Sequence, residues 1–144
     1  MAFNELFAGS AISGSGMSAE RLRLEVIANN VANANSTRSA NGGPFRRQDV
    51  VFAEVLGGEA RPGGLPDLRG VRAVDVVEDP SELNRVYTPG HPDADADGFV
   101  LMPNVQLPIE MVNLITASRA YEANLRAAQS FRTMNEQALN LIRS

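Results

Sequence analysis

The C-terminal quarter of the chain repeats apolar residues with the period of a long helix. Counting forward from Leu107 in alternating steps of four and three residues reaches mostly apolar side chains. Many of the residues between these positions are Ala, Glu, Gln, Met or Arg, which favour helices. The steps reach Leu107, Met111, Leu114, Ser118, Tyr121, Leu125, Ala128, Arg132, Asn135, Leu139 and Ile142. This spacing is typical of a coiled-coil seam, so we predict one helix from about Leu107 to Ile142.

The N-terminal segment carries a weaker version of the same pattern. A seven-residue spacing links Phe3, Ser10, Met17, Leu24 and Val31. Three glycines, Gly9, Gly14 and Gly16, fall in its first half, and each costs about 1 kcal/mol relative to alanine inside a helix. We therefore expect the first half to fray, with Ser18 as an N-cap for a firmer helix that stops at the Asn-rich segment near Asn33.

The middle of the chain contains all eight prolines, between Pro44 and Pro108, and this excludes a long helix there. Short runs rich in Val and Phe predict strands over 45–56, 71–78, 85–87 and 98–102, and glycines at 57–58 and 63–64 predict loops. The fold class predicted is α+β, with long N- and C-terminal helices forming a coiled-coil stalk and a small irregular β module between them. The segments are 1–36, 37–106 and 107–144.

The apolar positions of the two helices leave two interpretations open. One is an intramolecular helical hairpin that caps a small domain. The other is an oligomeric or filamentous assembly, because one hairpin has too little surface to bury so many apolar side chains. Periodicity alone does not separate them.

Composition removes several classes of function. The 144 residues include no cysteine and no lysine, and His91 is the single histidine, so thiol chemistry, Schiff-base chemistry and multi-histidine metal sites are excluded. The net charge is −4, and the centre is acidic with no basic patch, which disfavours nucleic acid. We predict a protein that is not an enzyme and has no cofactor and no small-molecule substrate.

Targeting signals are also absent from the sequence pattern. The first twenty residues carry no basic residue and no long apolar run, so they do not resemble a secretory signal peptide. No apolar stretch reaches the roughly 18 residues of a membrane span. We expect a protein that is cytoplasmic or leaves the cell without a cleaved signal.

One acidic loop resembles half of a calcium-binding loop. Asp93, Asp95 and Asp97 occupy the first three ligand positions of an EF-hand, and Gly98 occupies the position of the turn glycine. Asn104 stands where a bidentate glutamate is required, and prolines flank the loop on both sides. The simpler interpretation, without metal binding, is an acidic turn before a strand. A calcium-binding adaptor that uses residues 93–98 is kept as an alternative.

The segment from Ala28 to Thr37, with the sequence ANNVANANST, is the most specific string in the chain. Asparagine favours helix ends by bonding nearby backbone, so the cluster predicts a helix terminus or a polar ladder between helices. The string resembles the ANNxANxxT signature of the flagellar rod and hook axial proteins. Further matches follow in order across nearly the whole chain, among them Tyr87 to Asp95, Met102 to Val105, and Glu110 to Asn124.

This resemblance implies a structural subunit of the proximal rod of the bacterial flagellar basal body. It implies export without a cleaved signal peptide through the flagellar export apparatus, and a place in the part of the rod that crosses the periplasm. Its implied partners are other copies of itself, other rod proteins and the basal-body complex, and another short axial subunit is the alternative. The motif and the helical period of the C-terminal segment together predict the assembly residues, which are Ala28, Asn29, Asn30, Ala32, Asn33, Thr37, Met111, Leu114, Tyr121, Asn124, Leu125, Ala128, Leu139 and Ile142.

Overall fold

The computed structural model describes residues 2–40, 42–57 and 67–143, and the side chains of 9–40, 42–56 and 69–141. Four strands lie between two helices along the chain, in the order α1 (Ala2–Ala32), β1 (Gln48–Gly57), β2 (Asp67–Glu78), β3 (Asn84–Tyr87), β4 (Phe99–Met102) and α2 (Leu107–Arg143). The chain therefore has the predicted α+β class. The loops predicted at 58 and at 63–64 lie outside the described residues.

Helix α2 confirms the prediction from periodicity, since it runs without interruption over 37 residues, a length of about 55 Å. Pro108 lies in its first turn, where the missing backbone N–H would have no helical partner in any case. Glu110 places an acidic group near the positive end of the helix dipole.

Helix α1 corrects the prediction for the N-terminal segment. It is one helix of 31 residues that begins at Ala2 and includes Gly9, Gly14 and Gly16, so the helix does not start at Ser18. Ser18 is not an N-cap, because it lies inside the helix and its hydroxyl donates to the carbonyl of Gly14 at 3.2 Å. The intrinsic cost of Gly9 and Gly16 is offset by packing against α2.

The two helices run antiparallel, and their contacts repeat every seven residues. A Cβ atom on Gly9 would lie 2.7 Å from the Phe131 ring, and one on Gly16 would lie 2.9 Å from the Asn124 amide. Asn30 lies two seven-residue repeats after Gly16 on α1, and it contacts Glu110, which lies two repeats before Asn124 on α2. The glycines are therefore the positions at which a side chain of α2 packs directly onto the α1 backbone.

The stripe of α2 that meets α1 is not the predicted seam. Its members are small, polar or aromatic: Glu110 and Ala117 are completely buried, and Asn124 and Phe131 are half-buried. The predicted seam residues Leu107, Met111, Leu114, Leu125 and Leu139 are all exposed, from 39% to 58%. The large apolar residues lie to either side of the intramolecular contact because close approach of two helices requires small side chains between them.

The β1–β2 hairpin lies along α1. At one end Gln48 contacts the last full turn of α1, and at the other end the Ser15 hydroxyl accepts a hydrogen bond of 3.1 Å from the Val71 amide. Gly70, with φ of +126°, allows the strand to approach Ser15 where a Cβ would collide with its hydroxyl. Strands β3 and β4 form a second antiparallel pair, in which Tyr87 packs edge-on against Phe99.

The buried core of the described residues is thin. The buried hydrophobic residues are Ala19, Val26, Ile27, Val100, Val105 and Ala117, and most of the large hydrophobic side chains of α2 are exposed. Within the described residues, neither helix combines the length and the apolar character that crossing a membrane requires.

Candidate functional site: a buried polar junction and an exposed helix face

Asn30, the second asparagine of the ANNVANANST string, joins three elements. Its side-chain amide donates to the Gln48 carbonyl at 2.8 Å and to Oε2 of Glu110 at 3.0 Å, and its Oδ1 accepts from the Gln48 amide at 2.9 Å. The side chain is completely buried and all three bonds are formed. Asn30 therefore pairs with the start of β1 as a neighbouring strand would, and it ties that strand and α1 to α2.

Glu110 is the acidic centre of this junction. Its buried carboxylate accepts a hydrogen bond of 2.7 Å from Nε of Arg47, and Nδ2 of Asn113 lies at 3.5 Å. The Arg47 guanidinium also lies 3.3 Å from Asp49 and 3.5 Å from Asp79. Burial opposes the charge of Arg47, but hydrogen bonds and charges from Glu110 and Asp49 together outweigh it and raise the pKa of Arg47.

Asn104 extends the junction to the loop that follows β2. Its Oδ1 accepts from the backbone amide of Arg47 at 2.8 Å, and its amide donates to the Ser81 hydroxyl at 2.8 Å and to the Asp79 carbonyl at 3.2 Å. Hydrogen bonds from Ser81 and the charge of Arg47 hold the pKa of Asp79 below its ordinary value. The junction residues, which we define as Asn30, Arg47, Gln48, Asn104 and Glu110, thus connect both helices and the strand module.

The other asparagines of the string form the helix terminus that the sequence predicts. Nδ2 of Asn33 donates to the carbonyl and to Oδ1 of Asn29, at 3.0 and 2.9 Å, and the Ser36 hydroxyl donates to Oδ1 of Asn33. Ala28 and Ala32 are exposed. Both predicted roles are therefore present, since Asn30 bridges the helices and Asn29 and Asn33 close the end of α1.

The acidic loop is held by protein groups. Asp93 accepts a hydrogen bond of 2.8 Å from the Thr37 hydroxyl and pairs with Arg38, while Asp95 accepts from the Phe99 amide and from Arg85, at 2.8 and 2.9 Å. In the described part of the chain, no three acidic or histidine side chains are grouped as metal ligands. The calcium alternative therefore has no geometric support.

These contacts make stability depend on pH. The hydrogen bond from Thr37 lowers the pKa of Asp93, and the bond from the Phe99 amide lowers that of Asp95. A lowered pKa in the folded state contributes stability that is present above about pH 4 and is lost as the pH falls through the folded-state value. We expect the urea concentration at the midpoint of unfolding to decrease when the pH is lowered below about 4.

An Asp93→Asn, Asp95→Asn double variant tests this pH dependence. It should have a lower urea midpoint than the parent protein at pH 7, because its ion pairs are gone, and the two midpoints should converge near pH 2. Circular dichroism during urea titrations over a pH series gives both curves. A gap that stays constant at every pH would contradict the assignment.

The exposed face of α2 is the second feature of the site. Its first three turns present apolar side chains to solvent in several directions, with exposures from 40% to 62%: Leu107, Ile109, Met111, Val112, Leu114 and Ile115. Leu125 and Leu139 continue the exposed apolar positions further along the helix. A contiguous patch of this kind on a folded chain marks an interaction surface.

Some of the predicted site residues belong to one of these two features, and others belong to neither. Asn30 belongs to the buried junction, and Met111, Leu114, Leu125 and Leu139 lie on the exposed face. Tyr121 and Ala128 are half-buried, Asn124 packs on Gly16, and the Ile142 side chain lies outside the described residues.

Sequence reasoning missed Arg47, Gln48 and Glu110 as junction residues. The sequence signal that could have identified Glu110 is that it is the single charged residue in the apolar run IEMVNLI, which begins at Ile109. A charge in that position costs free energy unless a buried partner is present.

Comparison with known proteins places both ends of the chain in one class. The family model described as "Flagella basal body rod protein" matches residues 11–38, which include the ANNVANANST string. The model described as "Flagellar basal body rod FlgEFG protein C-terminal" matches residues 96–141, which include all of the exposed α2 face up to Leu139. The class is therefore that of flagellar basal-body rod proteins.

Curated relatives narrow the class. Flagellar basal-body rod protein FlgC of Borreliella burgdorferi is 40% identical over 95% of this chain and 97% of its own. The proteins of the same name from Escherichia coli O6:H1 and Bacillus subtilis are 42% and 36% identical, each over 90% of this chain and over 92% and 93% of their own. The chain belongs to the FlgC family of flagellar basal-body rod proteins, and it is a structural rod subunit rather than an enzyme.

Proposed function

We propose that this chain builds part of the proximal rod by packing its terminal helices against neighbouring subunits. In this proposal segments 1–36 and 107–144 form a coiled-coil stalk in the axial layer, and segment 37–106 forms a module beside it. The observation that carries the proposal is the exposed apolar face at the start of α2, on a chain whose relatives are named rod proteins.

The energetics favour burial of that face. A large aliphatic side chain gains about 1.5 to 3 kcal/mol when it moves from water into an apolar environment. Met111 and Val112 are 58% and 62% exposed, so the single chain leaves much of this free energy unused. Contacts with neighbouring subunits would recover it, and this accounts for so thin a core in one chain.

The buried junction suits a part that carries mechanical load. Asn30, Arg47 and Glu110 link α1, β1 and α2 by hydrogen bonds, so a force applied to the strand module passes to both helices. A network of charged, directional hydrogen bonds resists rotation of the module about the helices better than non-directional apolar packing does. Residues 28–37 and the junction therefore set the angle between stalk and module.

We propose further that the chain reaches the rod unfolded, through the flagellar export apparatus, without a cleaved signal peptide. The small buried core supports this, because a domain with little buried apolar surface unfolds at low cost. Its final position would be the part of the rod that crosses the periplasm. Its partners there would be copies of itself, other rod proteins and the basal-body complex.

A second candidate keeps the axial assembly and assigns the chain to another short rod position. The match of residues 96–141 to a model described for FlgEFG proteins is the observation that favours it. Imaging of assembled basal bodies distinguishes the two positions along the rod.

Mutation of the exposed face tests the proposal. Leu114→Asp should reduce incorporation into basal bodies at least tenfold and abolish swimming, because a carboxylate would be buried between subunits. Gln129→Asp, at an exposed polar position of the same helix, is the matched control and should leave both unchanged. The measurements are immunoblots of purified basal bodies and soft-agar motility in a strain that lacks the native subunit.

Both variants should show the circular dichroism spectrum and urea midpoint of the parent protein, since neither position is buried in the single chain. Normal incorporation of a folded Leu114→Asp variant would contradict assembly through this face.

A further inference from the structure

A groove lies between α1, the β1–β2 hairpin and α2, with a volume of about 370 Å³. Ile12, Phe52 and Val71 give it apolar walls, and Glu20 and Glu54 give it two acidic groups. Its occupant should therefore combine apolar and cationic side chains.

Glu20 is the unusual group in this groove. Its Oε2 is buried and accepts no hydrogen bond from the described residues. Nη1 of Arg23 lies 3.9 Å from Oε2, which is too far for a hydrogen bond, although the two charges attract each other. A desolvated carboxylate oxygen without a donor costs free energy, and a group that donated to Glu20 would remove that cost.

Arg119 on α2 has the complementary property. It is exposed, and no acidic side chain in the described part of the chain pairs with it. Val112 and Ile115, seven and four residues before it, lie on the same side of the helix and are 62% and 51% exposed. The three residues form a stripe that we call the Arg119 stripe, with two apolar side chains followed by a guanidinium.

Glu20 and Arg119 do not meet within one chain. Ala117 is completely buried, and it lies seven residues from both Glu110 and Asn124, which contact α1. Arg119 follows Ala117 by two residues, which is about 200° around the helix, so it points away from α1. Contact between the two groups requires a second copy of the chain.

We propose that the Arg119 stripe of one copy docks in the groove of the next, with the Arg119 guanidinium donating to the Glu20 carboxylate. This inference rests on the proposed assembly and names the two surfaces that meet in it. A guanidinium suits the site because its planar fork can donate two parallel hydrogen bonds to a carboxylate. Val112 and Ile115 would then cover Ile12 and Phe52.

The geometry of this contact fits an open assembly. The groove lies between α1, the hairpin and α2, whereas the stripe lies on the side of α2 that points away from α1, so the two surfaces differ and the contact is heterologous. Each copy that offers its stripe to one neighbour still offers its groove to another. Such contacts extend into rings or helices rather than closing as a dimer, as a rod requires.

Cysteine cross-linking in basal bodies tests the contact directly, because the natural chain contains no cysteine. Glu20→Cys and Arg119→Cys variants expressed together in a strain lacking the native subunit should give a covalently linked pair when purified basal bodies are treated with a bis-maleimide that spans the gap left by the two long side chains. Either variant alone should give none. The matched control pairs Arg119→Cys with Glu25→Cys, which is exposed five residues further along α1 on another side of the helix, and should also give none.

Charge reversal provides the second measurement. Glu20→Arg and Arg119→Glu should each lower incorporation at least tenfold, and the doubly reversed chain should recover at least half of the parent level. If the cysteine variants enter basal bodies but do not cross-link, or if the double reversal is not rescued, the docking inference fails while the assembly proposal stands. If the parent protein itself is absent from basal bodies, the assembly proposal fails.

Discussion

Replacing Glu110 by alanine is expected to lower the free energy of unfolding by about 3 to 5 kcal/mol. The substitution leaves the Arg47 guanidinium without its shortest ion pair, of 2.7 Å, and removes the acceptor of one Asn30 hydrogen bond. Arg47 is only 18% exposed, so water replaces the lost carboxylate poorly. Since small domains are stable by about 5 to 15 kcal/mol, this loss is a large fraction of the total.

Glu122→Ala is the matched control on the same helix. Glu122 is exposed and lies 3.9 Å from an exposed arginine, so its loss should change stability by no more than about 0.5 kcal/mol. Urea denaturation followed by circular dichroism measures both variants. Equal effects of the two substitutions would show that the junction does not hold the helices and the module together.

A double-mutant cycle separates the network from a simple loss of packing. Asn30→Ala and Glu110→Ala remove the two ends of one hydrogen bond, so their combined effect should fall short of the sum by at least about 0.5 kcal/mol. Additive effects would indicate that the two side chains act independently.

Gly16→Ala and Gly14→Ala are expected to change stability in opposite directions. Both gain up to about 1 kcal/mol from the higher helix propensity of alanine. A Cβ on Gly14 meets nothing within 4 Å, whereas one on Gly16 lies 2.9–3.0 Å from three atoms of the Asn124 amide. Overpacking of this kind costs about 1 to 3 kcal/mol, so Gly16→Ala should be less stable than Gly14→Ala by about that amount.

The same urea titrations test the helix register. A Gly9→Ala variant should resemble Gly16→Ala, because its Cβ would lie 2.7–2.8 Å from two atoms of the Phe131 ring. Stabilisation by alanine at all three positions would contradict the close packing of α2 on α1, and would restore the interpretation of the glycines as mere weak points of the helix.

Local sequence information was sufficient where local physics determines the structure. The bounds of α2 follow from strong helix formers, an apolar period and Pro108 at its start, and the structure differs only by one residue at the end. The strands lie close to the predicted runs because Val and Phe are concentrated there. The closure of α1 by Asn29 and Asn33 follows from the tendency of asparagine to bond nearby backbone.

Long-range packing explains what could not be predicted. Gly9 and Gly16 are unfavourable for an isolated helix, and only the approach of Phe131 and Asn124 makes them favourable. The junction joins Asn30 to Glu110, which is 80 residues away, and no periodicity reveals such a partner. The residues of α2 that meet α1 could not be identified from the apolar period, because close approach of the two helices selects small side chains rather than large apolar ones.

The exposed face and the buried junction have different roles in this account. Substitutions in the junction should lower the stability of the single chain, and substitutions on the exposed α2 face should lower assembly while leaving stability intact. Glu110→Ala and Leu114→Asp represent the two classes. A variant of one class that behaves as the other would show that the division is wrong.

The most direct test of the central claim, that this chain is a rod subunit assembled through its terminal helices, is a side-chain-resolved cryo-electron microscopy map of intact basal bodies. We expect the chain to lie in the proximal rod, with Met111, Leu114 and Ile115 of each copy covered by neighbouring subunits. A map in which these side chains face solvent, with the subunits joined through the strand module instead, would contradict it.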